Sequence, residues 1–372
     1  MSFVDVFESI DWSESYLSIM SKTATDVERA LAKTKLDLED FKALISPAAE
    51  PYLENMAQLS YQKTRQRFGS TIGLYVPLYL SNLCSNDCTY CGFSMNNRIK
   101  RKTLTKEEID LEVNVLKAMK FDSVLLVTGE HQKKVGMEYF RQAVPQIKEQ
   151  FNYLAMEVQP LEQQEYAELK GLGLDAVMVY QETYNPSTYA EHHLKGSKTD
   201  FYYRLETPDR LAKAGIDKIG IGALIGLDNW RVDSMFVACH LDYLEKTYWK
   251  TRYSISLPRL RPCEGGVQPK SILNDKQMVQ LICAYRLFNQ HVDISLSTRE
   301  SASFRDNILP LGVTTVSAAS KTQPGGYAVD IDDQELEQFE ISDERTALEV
   351  ESAIRSRGFE PVWRDWTSIY SG

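Results

Sequence analysis

The chain is short of basic residues: 42 Lys and Arg stand against 52 Asp and Glu, a formal net charge of −10. A surface for nucleic acid or an anionic membrane needs a basic excess to neutralise phosphates, so neither partner class is expected. No apolar run approaches the ~18 residues of a membrane span, which argues against a transmembrane helix. The opening residues Met1 to Glu8 lack the basic start and long apolar core of a secretion signal, so a cytoplasmic location is expected. Cysteine is scarce and uneven, with six in 372 residues. That pattern does not fit a disulfide framework in a large intracellular chain. Low-complexity tracts, Pro/Gly-rich linkers and close internal repeats are also missing.

What is present is an alternation. Residues 1–70 are helical and charged in pattern, with helices expected at 25–35 and 51–67. Beyond them, β-rich runs fall at 72–80, 122–129, 153–160, 175–183, 218–227, 253–260, 292–298 and 314–321. Helical patterns separate them, at 107–120, 137–151, 163–171, 203–214, 233–248, 276–289 and 304–309. Thr105 with Glu108 fits a capping box, Asp275 and Ser303 fit N-caps, and Gly171, Gly173 and Gly215 fit helix ends. Eight strands each followed by a helix is the count of a closed (β/α)8 barrel of TIM type, although an open doubly wound sheet would share it. The expected division is a helical N-terminal extension at 1–70, a barrel at 71–322 and a C-terminal tail at 323–372. The tail would hold a helix near 343–358 followed by Trp363 and Trp366, packed on the barrel.

Three of the six cysteines crowd into eight positions, Cys84-Ser-Asn-Asp-Cys88-Thr-Tyr-Cys91, in the loop after the first strand. Spacings of three and two residues let one loop wrap a metal centre with three thiolates, which suit zinc or an iron–sulfur cluster. A structural zinc would want a fourth nearby ligand, and the next histidine, His131, is far downstream. Three ligands suit a 4Fe–4S cubane with one iron left open, and Gly92 would let backbone amides approach it. Buried cysteines, or a zinc site completed elsewhere, are the alternatives.

This C-x3-C-x2-C loop, with aromatic Tyr90 before the last cysteine, resembles the radical S-adenosylmethionine (SAM) superfamily. The resemblance implies a 4Fe–4S cluster on Cys84, Cys88 and Cys91, with SAM chelated to the open iron and split to a 5′-deoxyadenosyl radical. Strand-end polarity supplies the remaining candidates. Gly129-Glu130 matches the family's glycine–glutamate motif for the methionine ammonium, against a solvated glutamate. Glu182 is placed for ribose hydroxyls, with Gln159 a second candidate. Lys198 or Arg204 would pair with the SAM carboxylate or stay as surface charges. Among later strands, Arg299 offers a guanidinium fork for a substrate carboxylate, unless Glu300 or Asp306 pairs with it. Ser317 and Ser320 lie close enough to add hydrogen bonds. Arg259 and Arg261 would bind a second anion or pack structurally.

The likeness extends along nearly the whole chain. The runs YVPLYLSNLCSNDCTYCGFSMNNRIKRKTL, LLVTGEHQ, MEVQPL, VYQETY, HHLKG, RLETPDRL, IGIGALIGL, LPRLRPC, LSTRES and SKTQPGGY are similar to the 2-iminoacetate synthase family, the tyrosine lyases of thiamine thiazole biosynthesis. That resemblance implies cleavage of L-tyrosine at Cα–Cβ to 2-iminoacetate and 4-cresol, with hydrogen abstraction from tyrosine and SAM consumed as a cosubstrate. Arg299 would then anchor the tyrosine carboxylate. It also implies a thiazole synthase subunit as partner and flavodoxin or ferredoxin as reductant. The tyrosine lyase that matures FeFe-hydrogenase carries later cysteines for a second cluster, and here the last is Cys283. A tryptophan lyase and a sulfur-inserting enzyme are related alternatives. A non-redox barrel with a structural metal site is the alternative from another class.

Overall fold

The computed structural model describes residues 2–328 and 337–364. Eight parallel strands form the sheet: β1 (Thr71–Ser81), β2 (Ser123–Thr128), β3 (Tyr153–Glu157), β4 (Ala176–Met178), β5 (Lys218–Gly222), β6 (Arg252–Ser256), β7 (Asp293–Leu296) and β8 (Thr315–Ser317). Each pairs with the next in that order, and β8 returns to β1 through Gly73–Thr315, Leu74–Val316 and Tyr75–Ser317. That last pairing closes the barrel and excludes the open sheet. All eight expected strands are present, and helices lie between them as the crossover connections that parallel neighbours require.

The signals that start and stop these helices are local. Thr105 accepts from the Glu108 amide while Glu108 returns to the Thr105 amide, the expected capping box. Two expected caps shift. Asn274, with Gln277, caps the helix Asp275–Phe288 in place of Asp275. Ser301 caps Ala302–Ile308 in place of Ser303. In both cases the capping side-chain oxygen accepts from the free N–H three residues further on. Gly173 and Gly215 take positive φ after helix ends, whereas Gly171 lies inside its helix. The single helix expected at 203–214 is two, Phe201–Leu205 and Thr207–Lys213, because Pro208 begins a new first turn.

The N-terminal residues share the barrel's core and do not form a separate unit. Helix Leu53–Phe68 lies against Asp275–Phe288, with Ser60 Oγ donating to Leu311 O at 2.6 Å. Phe3 stacks on His240 at 3.7 Å between centroids. Near the C-terminus, helix Ala347–Ser356 leads to β9 (Glu360–Val362), which adds to the outer edge of β1 at Thr71 to Gly73. Trp363 packs edge-on against Phe121 at 5.2 Å, and Trp366 lies outside the described residues. Among the described residues no helix is long and apolar enough to cross a membrane.

Candidate active site

At the C-terminal ends of the strands the barrel opens into a cavity of about 1390 Å³, counted to its open mouth. Cys84, Cys88 and Cys91 all line it, as do Tyr90, Glu130, Glu182, Lys198, Arg204, Arg299, Ser317 and Ser320. Of the twelve side chains assigned from sequence to the cluster, SAM or the substrate carboxylate, the topology therefore brings eleven together. Gln159 is the exception. β3 ends at Glu157, the chain turns, and Gln159 Nε2 donates to Val135 O at 2.8 Å, away from the mouth.

The cysteine loop is held by its own backbone. Asn82 closes its base, donating from Nδ2 to Lys100 O and accepting from the Lys102 amide. Arg101 spreads its guanidinium over the carbonyls of Asn82, Phe93, Ser94 and Asn97. On the far side, Asp87–Cys88 pairs antiparallel with His193–Lys195. Tyr90 donates its hydroxyl to His193 Nε2 at 2.7 Å, and His193 Nδ1 donates to Tyr189 O at 2.6 Å. Burial, reinforced by Lys198, drives the His193 pKa down to about 2, so the ring is neutral and works as a fixed strut for Tyr90.

Gly92 plays a different part from the one expected. A Cβ there would stand 2.6 Å from both Glu337 O and Gln338 O, and the Gly92 amide donates to Gln338 O at 3.0 Å. The missing side chain admits the C-terminal segment, not the cluster sulfides. That segment crosses the mouth: Gln338 accepts from Tyr79 hydroxyl at 2.7 Å and points its amide at Cys91 Sγ. Ser342 and Asp343 amides reach Thr298 O. Gln338 and Phe339 line the cavity, and no periodic or capping signal in their irregular stretch marks them in the sequence.

The donor set fits an iron–sulfur cluster. Among the described residues no three His, Cys, Asp or Glu side chains are gathered closely enough to chelate one metal ion. Tetrahedral zinc would hold thiolates about 3.8 Å apart. A cubane takes each thiolate on a different iron and so asks for a wider set around one cavity. Burial pushes the Cys84 thiol up to about 11, with Glu130 and Cys91 adding, and raises Cys88 and Cys91 as well. The free thiols are therefore neutral, and the positive charge of iron is what would make them ligands.

Across from the cysteines stands a lattice of two carboxylates and two cations. Gly129 lets the end of β2 press on the loop, since a Cβ there would sit 2.5 Å from Leu83 O. Glu130 then meets Arg204 at 3.0 Å, Lys198 at 4.0 Å and Asn86 Nδ2 at 2.7 Å. Glu182 meets Lys198 at 2.7 Å and Arg204 at 3.5 Å. Burial alone would raise both carboxyls, but Arg204 and Lys198 outweigh it and hold them below the usual range. Lys198 and Arg204 are thus not surface charges: their side chains are 11% and 7% exposed. Glu182 has φ 71°, a strained left-handed turn for a non-glycine residue, at the point where it enters the cavity.

Arg299 differs from every other arginine at the mouth. Glu300 is taken by Arg259 and Arg261, and Asp306 by Arg345, so neither proposed partner reaches it. Arg259 and Arg261 are accordingly structural. The Arg299 guanidinium lies 3.4 Å over the Phe339 ring and has no carboxylate partner among the described residues. Burial pulls its pKa down, with Tyr79 and Glu157 opposing, but a guanidinium stays protonated. Nearby, Ser320 Oγ is buried with no hydrogen-bond partner, as is Thr128 Oγ1 at the end of β2.

A closed barrel that delivers three thiols, a charged lattice and a free guanidinium to one mouth matches what is found for residues 78–236, which fit the Radical SAM superfamily. Residues 256–360 fit the Biotin and Thiamin Synthesis associated domain. The class is that of radical SAM enzymes, which use a 4Fe–4S cluster and S-adenosylmethionine. Over 368 residues the chain is 60% identical to 2-iminoacetate synthase of Escherichia coli (strain K12), covering 99% of this chain and 97% of that one. It is 59% identical to 2-iminoacetate synthase of Salmonella typhimurium (strain LT2), with the same coverage. The chain belongs to the 2-iminoacetate synthase family. Among solved structures it superposes on the FeFe-hydrogenase maturase HydG from Carboxydothermus hydrogenoformans with a TM-score of 0.86 at 29% identity. That match covers 98% of this chain and 83% of HydG.

Proposed function

We propose that this chain cleaves the Cα–Cβ bond of L-tyrosine to 2-iminoacetate (dehydroglycine) and 4-cresol, reducing SAM to 5′-deoxyadenosine and methionine, for thiamine thiazole biosynthesis. The balance needs two electrons and one proton from outside, for which a flavodoxin or ferredoxin serves as donor. 2-Iminoacetate hydrolyses readily, and a thiazole synthase subunit is the fitting acceptor. The single observation that carries the amino-acid substrate is Arg299, a half-buried guanidinium without an anionic partner among the described residues, in a cavity shared with the cysteines.

Cys84, Cys88 and Cys91 would hold the cluster, which when bound supplies the low-potential electron for SAM cleavage. The chain's own groups do the binding and orienting. Glu130, kept ionised by its cations, takes the methionine ammonium, with Asn86 fixing the carboxylate's direction. Lys198 or Arg204 takes the methionine carboxylate, and Glu182 the ribose hydroxyls. Tyr90, braced by His193, is a flat wall beside them. Arg299, Ser317 and Ser320 receive the tyrosine carboxylate at the β7–β8 rim. The segment 337–343 covers that rim and keeps water out, which protects radical intermediates from quenching.

Anaerobic reconstitution followed by SAM, dithionite and L-tyrosine tests the reading. Deoxyadenosine and 4-cresol in step are expected. Deoxyadenosine without cresol would leave a radical enzyme with another substrate, and a colourless zinc protein would overturn the class of chemistry.

A further inference from the structure

Glu157 closes β3, and Arg299 follows β7. Strands three and seven of an eight-stranded closed barrel stand opposite one another, so the two side chains face across the cavity that both line. Neither makes a hydrogen bond or ion pair with the other. Glu157 has no such partner among the described residues, in contrast to Glu130 and Glu182 on the neighbouring strands, each held by two cations. Burial pushes the Glu157 carboxyl up to about 7, Glu182 adds to this, and Arg299 pulls it back in part. A carboxyl half-buried in the cavity wall with no donor from the protein leaves its oxygens to be satisfied from the cavity, so its presence points to a donor arriving with a ligand.

The space between the two groups suits a flat ring. Tyr79 and Val127 pair in register with Glu157 through β1 and β2, and both line the cavity. Met178 and Tyr180 form the next wall, seated on Gly220 and Gly222, where a Cβ would crowd Met178 Sδ and lie 3.2 Å from the Tyr180 ring.

We infer that Glu157 accepts the phenolic hydrogen of L-tyrosine and so selects tyrosine over phenylalanine. This rests on the tyrosine-lyase reading above. The substrate's other strong donor, its amino group, sits on the carbon that bears the carboxylate. With that carboxylate on Arg299 the amine stays on the β7 side, while the far end of the ring crosses to β3. Phenylalanine has the same shape but would leave Glu157 unpaired. A site built around a hydroxyl rejects such an analogue strongly.

The test is equilibrium binding of L-tyrosine and of L-phenylalanine to the anaerobic, cluster-loaded protein with SAM, in wild type, Glu157→Leu and Glu157→Gln. Iron content and SAM affinity are read on the same samples, and the isosteric glutamine guards against loss of fold. Wild type is expected to prefer tyrosine by at least ~100-fold. Glu157→Leu should weaken tyrosine by at least ~10-fold and leave phenylalanine within ~3-fold. Glu157→Gln, whose amide oxygen still accepts, should recover part of the preference. Equal loss of both ligands would overturn the inference by moving Glu157 to the shared amino-acid head, and an unchanged preference would overturn it outright. Failure of the wild type to bind tyrosine would instead sink the substrate reading itself, a result visible without any variant.

Discussion

Strands β1 to β4 send the bulky Tyr75, Pro77, Tyr79, Leu125, Val127 and Met178 into the cavity with Glu157, whereas β5 to β8 and their ends line it with Leu224, Pro258 and Leu260 and with the polar Ser256, Ser297, Thr298, Arg299, Ser317, Ser320 and Thr322. The charges divide in the same way. In the first half Glu130 and Glu182 are saturated by Lys198 and Arg204 before any ligand arrives. In the second half Arg299 has only an aromatic ring beneath it. A saturated lattice is a preorganised receptor whose partners exchange for a zwitterionic ligand, while a half whose Arg299 has no carboxylate partner among the described residues suits an acid. On the proposed reading the saturated lattice takes the cosubstrate and Arg299 takes the carboxylate of the substrate, whose ring reaches back to β3.

Arg204→Ala tests the saturated half and should have the largest effect. It strips Glu130 and Glu182 of a shared cation, and breaking a buried ion network by removing one partner costs ~3–5 kcal/mol. Chemical denaturation should show that loss, and SAM binding by the cluster-loaded protein should fall with it. A variant of wild-type stability that binds SAM normally would mean that the lattice is not the receptor. Arg299→Ala tests the second half. Losing a charge-assisted pair worth ~1.5–3 kcal/mol should raise the tyrosine dissociation constant by about 10- to 100-fold. SAM affinity should stay as it was, and a parallel fall in both would dissolve the distinction between the halves.

Most of this division is legible before folding, because it rides on period-2 alternation and on strand ends. The eight strands, the cysteine loop, Glu130 and Arg299 all follow from local pattern and the rule that barrel chemistry sits at the C-terminal face. What escapes is set by long-range packing. Residues 157 and 159 share one face of an ideal strand, so Gln159 reads as well as Glu157. Only the end of β3 at Glu157 decides which enters the cavity. Gln338 and Phe339 come from an irregular stretch with no periodicity, and Gly92 is needed for their approach, not for the cluster's. Their place over the mouth is fixed by partners on β1 and in the loops after β7 and β8, far away in sequence.

The smallest effect bears on whether Arg299 is truly free. In the ligand-free site the Glu157 carboxyl is raised from 4.5 to about 7, chiefly by burial. A carboxyl raised on folding contributes stability that is complete below its unfolded pKa and is lost as pH rises through the folded one. The wild type should therefore lose stability relative to Glu157→Gln between about pH 4.5 and 7, and the gap should then hold constant. Melting temperatures of both proteins, without tyrosine, across pH 5 to 8 check this. The glutamine variant should gain on wild type by about 1–3 °C over that range, given the usual few degrees per kcal/mol for large domains. The opposite slope, with wild type gaining as pH rises, would mean that a cation stabilises the ionised carboxylate in the empty cavity. Arg299 is the cation across the barrel. That slope would make Glu157 and Arg299 a resting pair that tyrosine must separate, and the second half would then be no less saturated than the first.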